Sequence, residues 1–179
     1  PGDVVVNRKA ISISEAALST TYSGSAQSGV LTTNLGTVSG NVVSTGINGD
    51  TLTITGVATG TNAGTYTPNL AAAGSAAGNY QVAYTNGALT IGQANLTIAA
   101  RADSKVYDGT STSSLAPTVT GLLGTDSVST LSQTFASKNV LGTNASTLNV
   151  ANGYVVNDGN SGGNYHVSVT SASGTITPL

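Results

Sequence analysis

Apolar side chains fall on alternate positions in many short runs of this chain. Ile11 and Ile13, Leu52 and Ile54, Val82 and Tyr84, Leu89 and Ile91, and Leu96 and Ile98 are each separated by one polar or small residue. A period of two marks strands with one face buried and one face wet. Asn-Gly, Asp-Gly and Gly-rich segments punctuate the runs and supply turns. A hairpin is predicted at Asn48-Gly49, between Val42–Ile47 and Asp50–Val57, with Val43, Ile47, Leu52 and Ile54 on one face. A second is predicted at Asn86-Gly87, setting Tyr84 opposite Leu89 and Val82 opposite Ile91. Lys9–Ser14 reads as an opening strand. Thr65–Ala73 reads as extended, at an edge or a bulge because Pro68 lacks an N–H. Leu70–Ala77 is Ala-rich, but Gly74, Ser75 and Gly78 leave it too short for a helix, so strand then loop is expected.

Shifted by 85 residues, the chain meets itself. Thr21-Tyr-Ser-Gly24 falls on Val106-Tyr-Asp-Gly109, and Gly78-Asn-Tyr-Gln-Val82 falls on Gly163-Asn-Tyr-His-Val167. Asp3–Ile13 falls on Ala88–Ile98, with Val4 and Val6 in the places of Leu89 and Ile91. Three segments are therefore expected. Residues 1–8 are the last strand of a preceding module in a longer array, 9–93 one β module, and 94–179 a second. The predicted fold is all-β, two tandem antiparallel modules of sandwich-like build. Gly92–Asn95 is too short for a flexible linker, so an elongated end-to-end arrangement is expected.

Composition narrows the function classes. Charged residues are 7% of the chain and the net charge is −2, which leaves no basic patch for nucleic acid. No apolar run reaches the length of a membrane span. With no cysteine, disulfides and thiolate metal sites are excluded.

Candidate chemistry is sparse. Tyr22 and Tyr107, and Tyr80 and Tyr165, recur at matching places, which suits either an aromatic platform for sugar or rings packed on the core edge; repetition at turn–strand boundaries favours packing. Gly24, Gly87 and Gly109 read as structural turn glycines. Positive φ is expected at Gly49, Gly87 and Gly153, each of which follows an asparagine. His166 is the only histidine and its counterpart is Gln81, so no catalytic constellation is read and an enzyme is not expected. Asp108, Asp126 and Asp158, with Asp103, are calcium candidates in oxygen-rich turns. Their counterparts Ser23, Asn41, Ala73 and Leu18 favour solvated turns instead, and no other cofactor is expected. Lys105 is a candidate for an isopeptide bond to an asparagine, opposed by its counterpart Thr20.

Ser104-Lys-Val-Tyr-Asp-Gly-Thr110, Phe135-Ala-Ser-Lys-Asn-Val140 and the Gly-Asn-Tyr turn resemble the YDG repeats of giant bacterial surface proteins. Gly49–Ile54, Gly60–Tyr66 and Asn86–Ile91 resemble the companion mostly-β, glycine-rich (MBG) repeats. The resemblance implies a stalk segment of a secreted, filamentous-haemagglutinin-like adhesin exported by two-partner secretion, in the biofilm matrix or at the cell surface. The partners it implies are neighbouring modules of the same chain. Exopolysaccharide, a host surface or another adhesin copy are further candidates, and a monomer is expected. The alternative is a glycan- or protein-binding module that uses an exposed sheet edge or Tyr-bearing loops.

Overall fold

The computed structural model describes residues 2–179, and it is built of strands. Among the described residues there are twenty-one strands and a single 3₁₀ turn, Ala77–Asn79. They form two compact units. Unit one is the chain up to Thr21 together with Ser25–Gly92, and unit two is Tyr22–Gly24 together with Gln93–Leu179. Of the segment 1–8, residue 1 lies outside the described residues. Gly2–Arg8 joins no strand, and Val4, Val5 and Val6 are 89%, 76% and 88% exposed.

Unit one is organised by a pair of parallel strands. Lys9–Glu15 lies between Tyr80–Asn86, parallel to it from Lys9↔Tyr80 to Glu15↔Asn86, and the antiparallel Leu31–Thr33. Both chains then turn a corner together, at Ala16-Ala17 and at Gly87-Ala88. Leu18–Thr21 and Leu89–Gly92 resume side by side, again parallel, with Gly64–Tyr66 antiparallel on the far side of Leu89–Gly92. Two backbone bonds staple the corner, Gly87 N to Glu15 O at 2.7 Å and Leu18 N to Ala88 O at 3.0 Å.

This corner replaces the hairpin expected at Asn86-Gly87. Tyr84 stands beside Ile13, and Leu89 beside Leu18; they do not face each other. Alternation and an Asn-Gly pair cannot distinguish a hairpin from a strand that bends away towards a distant partner. Gly87 is also not left-handed. Its lack of a Cβ serves close approach, because a Cβ there would overlap the Ala17 nitrogen. The all-β class holds, but the expected antiparallel build holds only in part: among the described residues four of the seven sheets are mixed, each with one parallel pair, and three are antiparallel throughout.

Asn48-Gly49 lies at the tip of a hairpin, but in a register shifted from the expected two-residue loop. Val42–Ser44 runs antiparallel to Thr51–Thr55 with Val43↔Leu52 and Ser44↔Thr51, so residues 45–50 form the connection, in which Asn48 (φ 51°) and Gly49 (φ 75°) are both left-handed and Asp50 N donates to Ile47 O. Val43, Leu52 and Ile54 are buried on its inner face. Ile47, expected with them, is 40% exposed, because Gly46 (φ 75°) interrupts the alternation just before it. The predicted extended run Thr65–Ala73 is split. Pro68 lies between Gly64–Tyr66 and Ala71–Ala73, and the latter is an edge strand paired to Thr51–Thr55. The core packs Ile11 and Ile13 against Leu31, Val43, Leu52, Ile54, Leu70 and Tyr80.

Unit two repeats the parallel frame with the same register. Ala94↔Tyr165 reproduces Lys9↔Tyr80, and Ser104↔Thr175 reproduces Ser19↔Thr90, each partner shifted by 85 residues. The middle of the unit differs. Ser127–Ser129 pairs directly with Val155–Asn157, whereas its unit-one counterpart Val42–Ser44 pairs with Thr51–Thr55. Gln133–Phe135 and Ser146–Val150 add to Ala172–Thr177, around a small core of Phe135, Leu148 and Ile176. Gly153 is left-handed (φ 108°), but Asn152-Gly153 joins strands of two different sheets and closes no hairpin.

Gly49 and Gly87 therefore act by different mechanisms. Gly49→Ala, with open space around its Cβ position, is expected to cost about 1 kcal/mol of backbone strain. Gly87→Ala must push backbone aside and is expected to cost about 2–4 kcal/mol. Urea unfolding of the two variants checks the order; an unchanged midpoint for Gly87→Ala would contradict the close corner.

Candidate functional site

Three of the four recurrent tyrosines, Tyr22, Tyr80 and Tyr165, are pinned by carboxylates. In unit one Tyr80 is buried at the start of its strand, and its hydroxyl donates to Asp50 Oδ2 at 2.9 Å and bonds Thr45 Oγ1 at 2.9 Å. In unit two the Tyr165 hydroxyl donates to Asp126 Oδ2 at 2.6 Å and accepts from Leu123 N at 2.9 Å. Tyr22, a member of unit two, donates to the same Asp126 oxygen at 2.8 Å. The rings of Tyr22 and Tyr165 meet edge to face, with centroids 5.4 Å apart and planes at 78°, a favoured aromatic geometry. Burial, with the bond to Asp126, pushes the Tyr165 hydroxyl up to about 12, and burial followed by Asp126 raises Tyr22 in the same direction.

The Tyr107-Asp108-Gly109 turn is locked from beneath. Lys105 Nζ donates to Asp108 Oδ1, Thr110 O and Thr110 Oγ1, each within 3.0 Å, and sits 5.7 Å from the centre of the Phe135 ring. Asp108 Oδ1 also accepts from Thr110 N at 2.9 Å. Hydrogen bonding from Lys105, then from Thr110, holds the Asp108 carboxyl down at about 2. Gly109 takes the left-handed conformation (φ 78°), and Tyr107 is half-buried against the Phe135 core. The sequence motifs Ser104–Thr110 and Phe135–Val140 thus meet in space, and Lys105 is engaged in an ion pair with Asp108.

The remaining acids face inward donors. Asp158 Oδ1 accepts from Asn160 N and Gly162 N, and Oδ2 from Asn164 N, all at 2.8–2.9 Å. Burial pushes its carboxyl up, but these backbone N–H groups outweigh burial and leave it below the usual carboxylate range. Asp103 accepts from Ser113 Oγ at 2.6 Å and from Ser104 N and Ser114 N; here too hydrogen bonds outweigh burial and lower the carboxyl. Asp108 serves its own turn, whereas Asp126 and Asp158 both bear on Tyr22, Asp126 directly and Asp158 through Asn164; the described residues contain no group of three or more metal-ligating side chains. His166 is exposed on the Tyr165–Thr170 strand, beside Asn95.

Two buried polar residues were missed from the sequence. Glu15 is fully buried and accepts from Ala58 N at 3.2 Å, and a Cβ on the neighbouring Gly29 would overlap its carboxylate. The signal was available, since Glu15 continues the inward period of Ile11 and Ile13. Gln133 is buried and pairs with both backbone groups of Arg101, at 2.7 and 2.8 Å, standing in for a strand neighbour. Nothing local in the sequence marks it, because its partner lies 32 residues away.

The clefts are open surface features. One of about 460 Å³ in unit one is lined by Arg8, Lys9, Asp50, Asn79 and Tyr80, and one of about 410 Å³ in unit two by Tyr154, Val156 and Val167. A YDG domain is found at residues 92–173. The chain matches no curated protein and no solved structure.

Asp126 is the shared acceptor of two buried hydroxyls. Asp126→Ala strands both and is expected to destabilise unit two by about 2–4 kcal/mol, against about 1 kcal/mol for Tyr165→Phe, measured by urea unfolding. The raised Tyr165 pKa gives a pH signature. Its contribution is fully present below pH 10, the ordinary tyrosine value, and is lost as pH rises towards about 12. Asp108 has the opposite sign: its contribution is present above pH 3.8 and is lost as pH falls towards about 2. Tyr165→Phe should flatten the alkaline fall and Asp108→Asn the acid one.

Proposed function

We propose that this chain is a structural segment of a large secreted bacterial adhesin, which spaces an adhesive tip from the cell surface or within a biofilm matrix. The supporting observation is the junction. The last strand of unit one ends at Gly92 and the first strand of unit two begins at Ala94, leaving Gln93 alone between two repeats with the same strand frame. Repeats joined without slack extend a protein by simple addition, and a joint of one residue has almost none of the reach of a random coil. The absence of cysteine suits export as an unfolded chain followed by folding outside, and the MBG and adhesin likeness of the first repeat belongs to the same reading. The tyrosines are burdened with structural tasks: Tyr22, Tyr80 and Tyr165 are buried, so none of the three offers a ring face to a sugar. No catalytic role and no cofactor is assigned.

Solution scattering tests the proposal. At low concentration the chain is expected to behave as an elongated monomer, with a maximum dimension of roughly twice that of one module. A Gly/Ser insertion after Gln93 combined with Tyr22→Ala, which also loosens the tie made by Tyr22–Gly24, should broaden the distribution of end-to-end distances. A globular profile for the unmodified chain would overturn the spacer role.

A further inference from the structure

Asparagine, tyrosine and carboxylate hold Tyr22 in unit two, and the same three kinds of group meet around an open cleft in unit one, where the carboxylate is Asp50 and not Asn41, the residue 85 positions before Asp126. In unit two the Tyr22 ring stands against Tyr165, its hydroxyl donates to Asp126, and the Asn164 side chain hydrogen-bonds to it. Gly24 follows in the left-handed region (φ 76°), and a Cβ there would come within 3.1 Å of Gly124 N, so glycine lets the two backbones pass closely. In unit one Asn79 and Tyr80 stand 85 residues before Asn164 and Tyr165. Tyr80 likewise donates its hydroxyl to a carboxylate, that of Asp50. Asn79, Tyr80 and Asp50 line the cleft of about 460 Å³, which exceeds a single aromatic side chain, and Arg8 and Lys9 line it as well. Among the described residues neither cation has an ion-pair partner, and they are the only two basic residues of unit one.

We propose that this cleft receives the Tyr107-Asp108-Gly109 turn of a second copy of the chain, with the Tyr107 hydroxyl directed to Asp50 and Asn79. This turn stands 85 residues after Tyr22-Ser23-Gly24 and at the same point of the frame. Tyr22 follows Thr21, which pairs with Gly92; Tyr107 follows Val106, which pairs with Thr177. Gly109 shares the left-handed conformation of Gly24, and space around its Cβ position is open. Charge selects this occupant. The second copy's turn carries Asp108, half exposed, whose bonds to Lys105 and Thr110 all fall on Oδ1, where Tyr22-Ser23-Gly24 carries a neutral serine, and Arg8 and Lys9, which outnumber Asp50 in the cleft, supply the complement to Oδ2. The contact is heterologous, cleft to turn, so it propagates from copy to copy without closing. It does not depend on the spacer role and holds or fails separately from it.

The test uses the unmodified chain, labelled with ¹⁵N, and a synthetic peptide of Ser104–Thr110. Titration is expected to shift the Asn79 side-chain amide and the Arg8 and Lys9 signals, more weakly as salt is added. Peptides with Phe for Tyr107 or Asn for Asp108 should bind about tenfold more weakly, a difference of one good hydrogen bond or ion pair. In sedimentation, the wild-type chain should associate with rising concentration and Tyr107→Ala should not. The peptide arm leaves the protein intact, so it decides even if that variant is destabilised. An unmoved Asn79 amide, equal binding of the Phe peptide, or association that survives Tyr107→Ala in a folded variant would each overturn the proposal.

Discussion

A parallel ladder between the beginning and the end of each repeat holds the molecule together. Lys9–Glu15 and Tyr80–Asn86 share seven register pairs, and the frame continues past the corner into Leu18–Thr21 and Leu89–Gly92. Parallel neighbours cannot be joined by a tight turn. The whole repeat must therefore pass between the two strands before the ladder can close. Everything else hangs from this requirement: the hairpin Val42–Thr55, the edge strand Ala71–Ala73 and the buried tyrosines all lie in that long connection or at its return point.

The same constraint shapes folding. A contact between Lys9 and Tyr80 costs the closure of a long loop before any core burial offsets it. The core of unit one is completed only when the last strand arrives, because Tyr80 packs with Ile11 and Ile13. The strand that ends one repeat is followed almost at once by the strand that opens the next, and unit two also takes in Tyr22–Gly24 from within the first repeat.

Polar chemistry in this chain is directed inward. With charges at 7% of residues, the few acids are spent on local networks: Asp50 on Tyr80, Asp126 on Tyr22 and Tyr165, Asp108 on Lys105, and Asp158 on three backbone N–H groups. A buried hydroxyl or backbone N–H without a partner costs more than a formed bond contributes, so these acids fix turns that Ser, Thr and Gly alone would leave loose. The YDG turn is one such case, held by a lysine that also packs over Phe135.

Local rules in the sequence determined much of this. Alternation marked an all-β chain, the 85-residue repeat placed the strands of the parallel frame in equivalent registers, and Asn48-Gly49 takes the left-handed turn its residues favour at the tip of a hairpin. Each rests on interactions between near neighbours or on a pattern that copies itself. The tertiary structure decided what local pattern leaves open. Asn86-Gly87 is the same dipeptide as Asn48-Gly49, yet neither residue is left-handed, its strands leave for parallel partners some 70 residues back, and Gly87 is needed for the passage of Ala16-Ala17. Gln133 finds the Arg101 backbone, and Tyr22 and Tyr165 find one carboxylate, across separations that no window of sequence spans. Strand direction and partner choice are set by which distant faces bury together, and that energy belongs to the packed whole.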